Sequence, residues 1–182
     1  MLLCIVGKSG SGKDTVARVL ETWDGFEPVC SYTTRPQRAN ELQGKEHHFI
    51  SRKEAEQILE TRADEVVAQT EIAGNLYFAL KEDLEKASLY IIDPAGIAYI
   101  QEHFPDIPLY QMYVQCDDDI AEQRAKQRGD DMDVYKARHE SENEAFEAYY
   151  QAKKYDYLIH NNRDRDALQI EIARFLEEWC TL

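Results

Sequence analysis

Glycine, lysine and acidic residues near the start of the chain are spaced as in a phosphate-binding loop. Residues 7–15 read G-K-S-G-S-G-K-D-T, which fits the pattern G-x-x-x-x-G-K, and they lie between a short apolar run and an amphipathic pattern. Glycines let the backbone wrap around an anion, the following helix adds partial positive charge, and the lysine supplies a cation for the β- and γ-phosphates. The motif therefore predicts a site for the donor phosphates of ATP, formed by Ser9, Gly10, Ser11, Gly12, Lys13, Asp14 and Thr15.

Two aspartates are candidates for the magnesium ion that accompanies ATP. Asp14 stands where this pattern usually has Ser or Thr, and a carboxylate can coordinate Mg²⁺ directly or through water. Asp14 can equally be an acid that favours the helix dipole, with Thr15 in the metal role. Asp93 follows the apolar run Leu89–Ile92, as at the end of a Walker-B strand, although aspartate is also a common turn former there. The sequence predicts Asp14 and Asp93 as metal ligands and leaves these alternatives open.

Two arginines in a proline-containing loop indicate a second anion site. Arg35 and Arg38 are three positions apart in the segment Ser31–Arg38, and two planar guanidinium forks that converge on one phosphate form a strong clamp. In a chain with an acidic balance, this loop is where we expect an anionic acceptor to dock. Taken alone, the same segment also fits a solvated loop with two charges.

Weaker motifs follow the P-loop in order along the chain. Thr33–Gly44 reads T-T-R-P-Q-R-A-N-E-L-Q-G, Gly74–Tyr77 reads G-N-L-Y, and Tyr155–Asn161 reads Y-D-Y-L-I-H-N. With the P-loop, this ordered set resembles the guanylate kinase family of P-loop nucleoside monophosphate kinases. The corresponding family motifs are T-T-R-x-x-R-x-G-E-x-x-G, G-N-Y-Y and a final strand that ends in Asn. The lid arginines of the family are matched by Arg124, Arg128 and Arg138.

The resemblance implies an enzyme that transfers a phosphoryl group from ATP, with Mg²⁺, to a nucleoside monophosphate. By this resemblance Lys13 binds the donor phosphates and Asp93 serves magnesium. Arg124 and Asn161 belong to the donor side, with Asn161 near the donor base. The lid arginines that close over the transferred group are Arg128 and Arg138. The residues that hold the acceptor phosphate are Ser31, Arg35, Arg38 and Tyr77. His47, where the family usually has another aromatic residue, is a further candidate for contacting the acceptor.

The guanine-reading residues of the family have no counterpart in this chain. Where the family has a Glu, a Ser and a second acid, the sequence has Ala68, Ala79 and Ala95. Each lost hydrogen-bond partner costs about 1–3 kcal/mol, so we expect an altered acceptor. One alternative is a ribose phosphate, because the Lys13–Asp14 pair also resembles ribose bisphosphate phosphokinases. Another is a guanylate-kinase fold used as a protein-binding module, but such modules usually lose the lysine and the magnesium acid that are present here.

Short apolar segments that alternate with helical patterns predict an α/β fold in three layers, a central parallel sheet with helices on both faces. The predicted strands of this sheet are Met1–Val6, Pro28–Tyr32, Leu89–Ile92, Leu109–Gln115 and Tyr157–Ile159. The predicted helices are Asp14–Trp23, Arg52–Thr61, Lys81–Ala87, Ala95–His103, Ile120–Gln127, Val134–Lys154 and Asp166–Trp179. The glutamates of the long helix, among them Glu142, are expected on a solvated face.

The stretch from about residue 32 to 80 breaks this rhythm. It is rich in turn residues, and two extended segments, Glu65–Glu71 and Leu76–Leu80, flank the turn pair Gly74–Asn75. We therefore expect a single domain, 1–182, with a core of residues 1–31 and 81–182. An acceptor-binding lobe is expected at about 32–80 and a short lid at about 124–138.

Composition narrows the classes of partner. Of 182 residues, 35 are acidic and 21 are Lys or Arg, so the net charge is −14 and a nucleic-acid binder is not expected. The apolar runs are too short for a membrane span or a signal peptide. The four cysteines show no C-x-x-C spacing and fit free thiols in a reducing cytoplasm. The expected partner is a small phosphorylated molecule, and the oligomeric state is not readable from the sequence.

Overall fold

The central sheet of the protein has four parallel strands. A computed structural model describes residues 1–38, 41–72 and 74–181. The strands are β1 (Leu2–Val6), β6 (Leu89–Ile91), β7 (Leu109–Gln115) and β8 (Tyr157–His160), in the spatial order β6-β1-β7-β8. All three pairings are parallel. Every residue of β1 is buried, as an unbroken apolar strand in the middle of such a sheet requires.

Helices cover both faces of this sheet. They are α1 (Lys13–Leu20), α4 (Pro94–His103), α5 (Asp118–Arg128), α6 (Met132–Gln151) and α7 (Arg165–Trp179). Alternate residues of β1 enter two apolar clusters. Cys4 packs in the cluster that holds Ile100 of α4 and Phe146 of α6, whereas Ile5 packs in the one that holds Leu20 of α1 and Phe175 of α7. The predicted three-layer α/β fold is confirmed.

A second, mixed sheet lies within the segment for which an inserted lobe is predicted. Its strands are β2 (Tyr32–Thr33), β3 (His48–Phe49), β4 (Val66–Ile72) and β5 (Asn75–Leu80), in the order β3-β2-β5-β4. Helix α2 (Arg52–Thr61) and a 3₁₀ turn (Ala63–Glu65) precede β4, and the short helix α3 (Lys81–Glu85) follows β5. Ala55 of α2 packs with Phe78 and Leu80 of β5 in a small core.

The lobe also shares a core with the rest of the protein. Ala68 of β4 and Ala79 of β5 lie in the same apolar cluster as Ile97 and Ile100 of α4. The lobe sheet is therefore packed against α4, which begins directly after Asp93. This contact fixes the lobe beside the carboxyl ends of the central strands, where ligands bind in open α/β sheets.

Three sequence-based expectations about local structure are wrong. The strand predicted at Pro28–Tyr32 is absent, because Pro28 makes only an isolated bridge to Leu89 while Tyr32 starts β2 of the other sheet. Helix α1 ends at Leu20 rather than at Trp23. The gap between the predicted helices Ile120–Gln127 and Val134–Lys154 shrinks to the three residues Gly129–Asp131, because α5 runs to Arg128 and Asp131 accepts hydrogen bonds from the first turn of α6, which starts at Met132.

None of the helices in the described parts of the chain has the length and apolar character needed to span a bilayer.

Candidate functional site

The P-loop connects β1 to the start of α1 in a conformation that only glycine adopts without strain. Gly10 and Gly12 have φ values of 84° and 93°, and Gly12 is the N-cap of α1. A Cβ added at Gly12 would lie 2.3 Å from Nδ2 of Asn161. Because Gly12 has no side chain to cap the helix, the first N–H groups of α1 are left for an anion.

Asn161 fixes the backbone of the P-loop by a hydrogen bond. Its Nδ2 donates to the carbonyl oxygen of Ser11 at 2.7 Å, and its side chain is buried. Arg124 of α5 donates to Oδ1 of Asn161 at 3.4 Å and to the carbonyl oxygen of Arg163 at 3.0 Å. The two donor-side candidates thus contact each other, and Asn161 contacts the P-loop backbone. Their predicted contact with ATP stays a prediction.

Three of the predicted catalytic cations lie together at the mouth of the loop. Nζ of Lys13 donates to the carbonyl oxygen of Lys8 at 3.4 Å. Burial lowers the pKa of Lys13, Asp14 raises it, and Arg138 and Arg128 lower it further. Lys13, Arg128 and Arg138 therefore lie within electrostatic reach of one another, as a site for a multiply charged anion requires.

Glu142 is part of this cluster, which the sequence reasoning missed. The expectation of a solvated glutamate is wrong here: Oε2 accepts from the Ser9 backbone N–H at 2.8 Å, and Oε1 accepts from Ser9 Oγ at 3.0 Å and from Arg138 Nε at 2.7 Å. Burial would raise the pKa of Glu142, but Arg138, the Ser9 N–H and Lys13 hold it below its usual value. The only signal in the sequence is the i,i+4 spacing of Arg138 and Glu142.

The acceptor candidates form a second cluster on the lobe. Ser31 Oγ and His47 Nδ1 are hydrogen bonded at 3.0 Å, and the His47 ring meets the Tyr77 ring edge-on at 6.0 Å. Burial and the nearby charge of Arg35 lower the pKa of His47, against smaller opposite effects of Glu41, Ser31 and Asp14. His47 is therefore held in its neutral form. The effect of Asp14 also shows that the P-loop end of α1 lies within electrostatic reach of the lobe cluster.

Glu41 organises the two arginines of the proline-containing loop. Arg35 binds it with two hydrogen bonds, NH1 to Oε2 at 3.0 Å and NH2 to Oε1 at 2.8 Å, and its guanidinium lies 5.4 Å from the centre of the Phe49 ring. The Arg38 backbone N–H donates to the same carboxylate at 2.8 Å. The Arg38 side chain is 69% exposed and makes a longer ion pair with Glu41, NH1 to Oε1 at 3.9 Å, so Arg35 is the more firmly held of the two. Ala39 and Asn40 of this motif lie outside the described residues.

The two metal candidates occupy different environments. Asp93 is half-buried and is the N-cap of α4, with Oδ1 accepting from the Gly96 N–H at 2.7 Å, which is the turn-forming role left open above. Asp14 and Thr15 are exposed in the first turn of α1. Within the described ranges, no group of three or more His, Cys, Asp or Glu side chains is arranged to hold a metal ion by itself.

The positions that read guanine in the family carry only methyl groups. Ala68 and Ala79 lie opposite each other on β4 and β5 and are buried, while Ala95 is exposed in the first turn of α4. A β-bulge at Val67 shifts the register of β4, but it brings neither Glu65 nor Glu71 to this face. Those two carboxylates pair with Arg62 and Arg52.

Comparisons with known proteins agree with the motifs. The guanylate kinase family model matches residues 1–179. The guanylate kinase of Agrobacterium fabrum is 35% identical over 109 residues, which are 56% of this chain and 49% of that protein, so the chain spans about half the length of this relative. The guanylate kinase of Idiomarina loihiensis is 29% identical over 176 residues, 92% of this chain and 81% of that protein. The crystal structure of guanylate kinase from Anaplasma phagocytophilum superposes with a TM-score of 0.65 at 21% identity, covering 97% of this chain and 85% of that one, which shows the shared fold.

Proposed function

This chain belongs to the guanylate kinase family, and on that basis we propose that it transfers a phosphoryl group from ATP to the phosphate of a nucleoside monophosphate. One observation carries the proposal. The P-loop with Lys13 and the lobe cluster of Ser31, Arg35 and His47 are separate anion sites, and Asp14 at the end of the first acts electrostatically on His47 of the second. Two separate anion sites within electrostatic reach of each other are what transfer between two phosphates requires.

The donor side fits the triphosphate of ATP. The positive φ values of Gly10 and Gly12 open the N-terminus of α1, and among the described residues the one hydrogen bond of Lys13 Nζ is a long one, 3.4 Å to the Lys8 carbonyl oxygen. A phosphate oxygen can therefore replace the Lys8 carbonyl oxygen as the hydrogen-bond acceptor of Lys13 at a low cost in free energy. Magnesium bound with ATP would neutralise phosphate charge, and the carboxylates of Asp14 and Asp93 are the oxygen ligands that suit it.

Transfer itself needs alignment and charge neutralisation rather than a covalent intermediate. Lys13, Arg128 and Arg138 supply three positive charges for the negative charge that is spread over the oxygens of the transferred group. Arg128 and Arg138 belong to α5 and α6, which are joined by the three-residue turn Gly129–Asp131. Closure of this lid over the donor would exclude water and so suppress hydrolysis of ATP.

The acceptor phosphate is proposed to bind the lobe cluster. Neutral His47 uses Nδ1 for Ser31, which leaves Nε2 for the phosphate. Glu41 fixes the Arg35 guanidinium in position, whereas the exposed Arg38 is free to swing onto the ligand. Tyr77 of β5 lies next to His47 and Arg35 and completes the proposed phosphate site.

The base of the acceptor is proposed to be read without the hydrogen bonds that select guanine. Ala68, Ala79 and Ala95 offer no polar group, and Glu65 and Glu71 are engaged by arginines elsewhere. Each missing hydrogen bond removes about 1–3 kcal/mol of discrimination. We therefore expect weak selectivity among nucleoside monophosphates.

A panel of acceptors tests the proposal. The protein is mixed with Mg-ATP and, separately, each ribo- and deoxyribonucleoside monophosphate and a set of ribose phosphates, and ADP formation is measured. We expect turnover of several nucleotides within about 10-fold of one another in kcat/KM. Guanylate turnover far above the rest would contradict the role given to the three alanines. Turnover of a ribose phosphate alone would contradict a nucleotide acceptor, and no turnover together with no ATP binding would contradict a kinase.

A further inference from the structure

Glu142 differs from the exposed glutamates beside it on α6. Its side chain is 12% exposed, whereas Glu140 and Glu144 point to solvent. Its carboxylate accepts three hydrogen bonds, two from Ser9 of the P-loop and one from Nε of Arg138. A carboxylate so placed joins the lid helix to the loop that would hold the donor phosphates.

The hydrogen bond to Glu142 does not use the two terminal nitrogens of the Arg138 guanidinium. Glu142 holds this guanidinium through Nε, and neither terminal nitrogen of Arg138 donates a hydrogen bond to another described residue. Those two nitrogens form a fork of the kind that binds phosphate oxygens in pairs. The guanidinium is thus fixed through Nε, and its two terminal nitrogens are left for a ligand.

The Arg138–Glu142 pair is poorly explained as a support for the helix alone. An i,i+4 pair with the basic residue first is the weaker orientation for helix stability. The additional bonds to Ser9 join residues 133 positions apart in the sequence. Glu142 also lies within electrostatic reach of Lys13, so its charge is placed inside the cation cluster rather than on the surface.

We propose that Glu142 is a positioning residue that anchors Arg138 to the P-loop, so that the arginine fork meets the phosphoryl group during transfer. This role rests on the proposed kinase function. A competing role is that the Glu142 carboxylate occupies the place of a donor phosphate oxygen at Ser9 and must leave when ATP binds. The two roles make opposite demands on ATP affinity, and an experiment can separate them.

The test compares E142A, E142Q, R138A and the double variant R138A/E142A, with E144A as the matched control on the same helix. Steady-state kinetics give kcat and KM, calorimetry gives ATP and ADP affinity, and thermal unfolding reports folding. We expect E142A to lower kcat by about 10- to 100-fold with ADP affinity within about twofold of wild type. E142Q restores part of the rate, E144A behaves as wild type, and the double variant is no slower than R138A because both changes remove one function.

Several results would overturn the role of Glu142. An E142A variant as active as E144A would do so, and so would losses that multiply in the double variant. Tighter ATP binding by E142A with unchanged kcat would identify the competing role instead. If E142A does not fold, E142Q, which keeps the volume of the side chain, decides by the same kinetics. A wild-type protein that transfers nothing would overturn the kinase proposal itself, which an active wild type with an unaffected E142A would leave intact.

Discussion

Lys13 has a buried ammonium group, whose surroundings disfavour its protonated, charged form. Burial and the neighbouring Arg128 and Arg138 lower its pKa, and Asp14 is the main group that opposes them. A buried ammonium group is unfavourable in the free protein and becomes favourable once a polyanion binds beside it. The residue is therefore expected to contribute to ligand binding and transfer but not to stability.

Substitution of Lys13 by Ala is expected to lower kcat/KM for ATP by at least about 100-fold, because a preorganised cation at the transferred group is lost. The midpoint of thermal unfolding should stay equal or rise, because the desolvation cost of a buried ammonium group is removed. Kinetics and calorimetric melting check both parts. The control is Lys53→Ala, an exposed lysine of α2. A K13A enzyme with a near-normal rate, or a clear loss of stability, would contradict the assignment.

His47 should make the stability of the protein depend on pH. Its pKa is lower in the folded protein than its usual 6.5, so the unfolded chain binds the extra proton first as pH falls. The free energy of unfolding should therefore decrease as pH falls below about 6.5, until the folded form is protonated too. Urea unfolding from about pH 7.5 to 5 is expected to show a smaller decrease for His47→Gln than for wild type. Equal slopes for the two proteins would show that His47 is not held neutral.

The candidate residues were predictable where a motif fixes both type and place, as for the P-loop and for Arg35, whose partner Glu41 stands in the same motif. Glu142 was not, because a glutamate-rich helix gives no indication of which side chain turns inward. That choice depends on how α6 meets Ser9, a contact between distant parts of the chain. The separate environments of Arg35 and Arg38 have the same origin, since Glu41 takes only the first guanidinium in a two-point contact.

At the level of elements, predictions succeeded where a segment carries its own signals. The bounds of α2 were predicted in full because Ser51 and Glu54 form a capping box at its start. The predicted bounds of β7 are also those observed. The strand predicted at Pro28–Tyr32 is wrong for a tertiary reason. This short apolar run is divided between two sheets, and its local pattern does not indicate which strand each half pairs with.

Asp93 combines a cap of α4 with the proposed metal role, and two substitutions separate them. Asp93→Asn keeps a good N-cap, so its stability should stay within about 0.5 kcal/mol of wild type, while Asp93→Ala should lose about 1 kcal/mol. If the carboxylate serves magnesium, both variants lose at least about 10-fold in kcat. Denaturant unfolding and kinetics over a range of Mg²⁺ concentration measure the two effects. Normal turnover by the Asn variant would leave Asp93 as a cap only.

At the level of the whole molecule, the positive site is a small feature of a strongly acidic protein. The net charge of −14 means that the acidic side chains of the folded protein repel one another and also repel an anionic substrate. The cations gathered around Lys13 and Arg35 must therefore act over short distances, after approach. Self-repulsion of this kind is screened by salt.

Raising NaCl from about 10 to about 200 mM is expected to increase the midpoint of thermal unfolding by about 3 °C, which corresponds to roughly 1 kcal/mol in a chain of this size. Calorimetry in a buffer without multivalent ions measures the shift. A decrease with salt would mean that attractive ion pairs, rather than net repulsion, dominate the electrostatic contribution to stability.

The hydrogen bond from Asn161 to Ser11 joins the P-loop to the residue directly after β8, 150 positions later in the sequence. During synthesis the amino-terminal loop leaves the ribosome long before the segment that fastens it. A growing chain therefore completes its P-loop only when most of the polypeptide has emerged. Until then the proposed site for ATP stays unfinished.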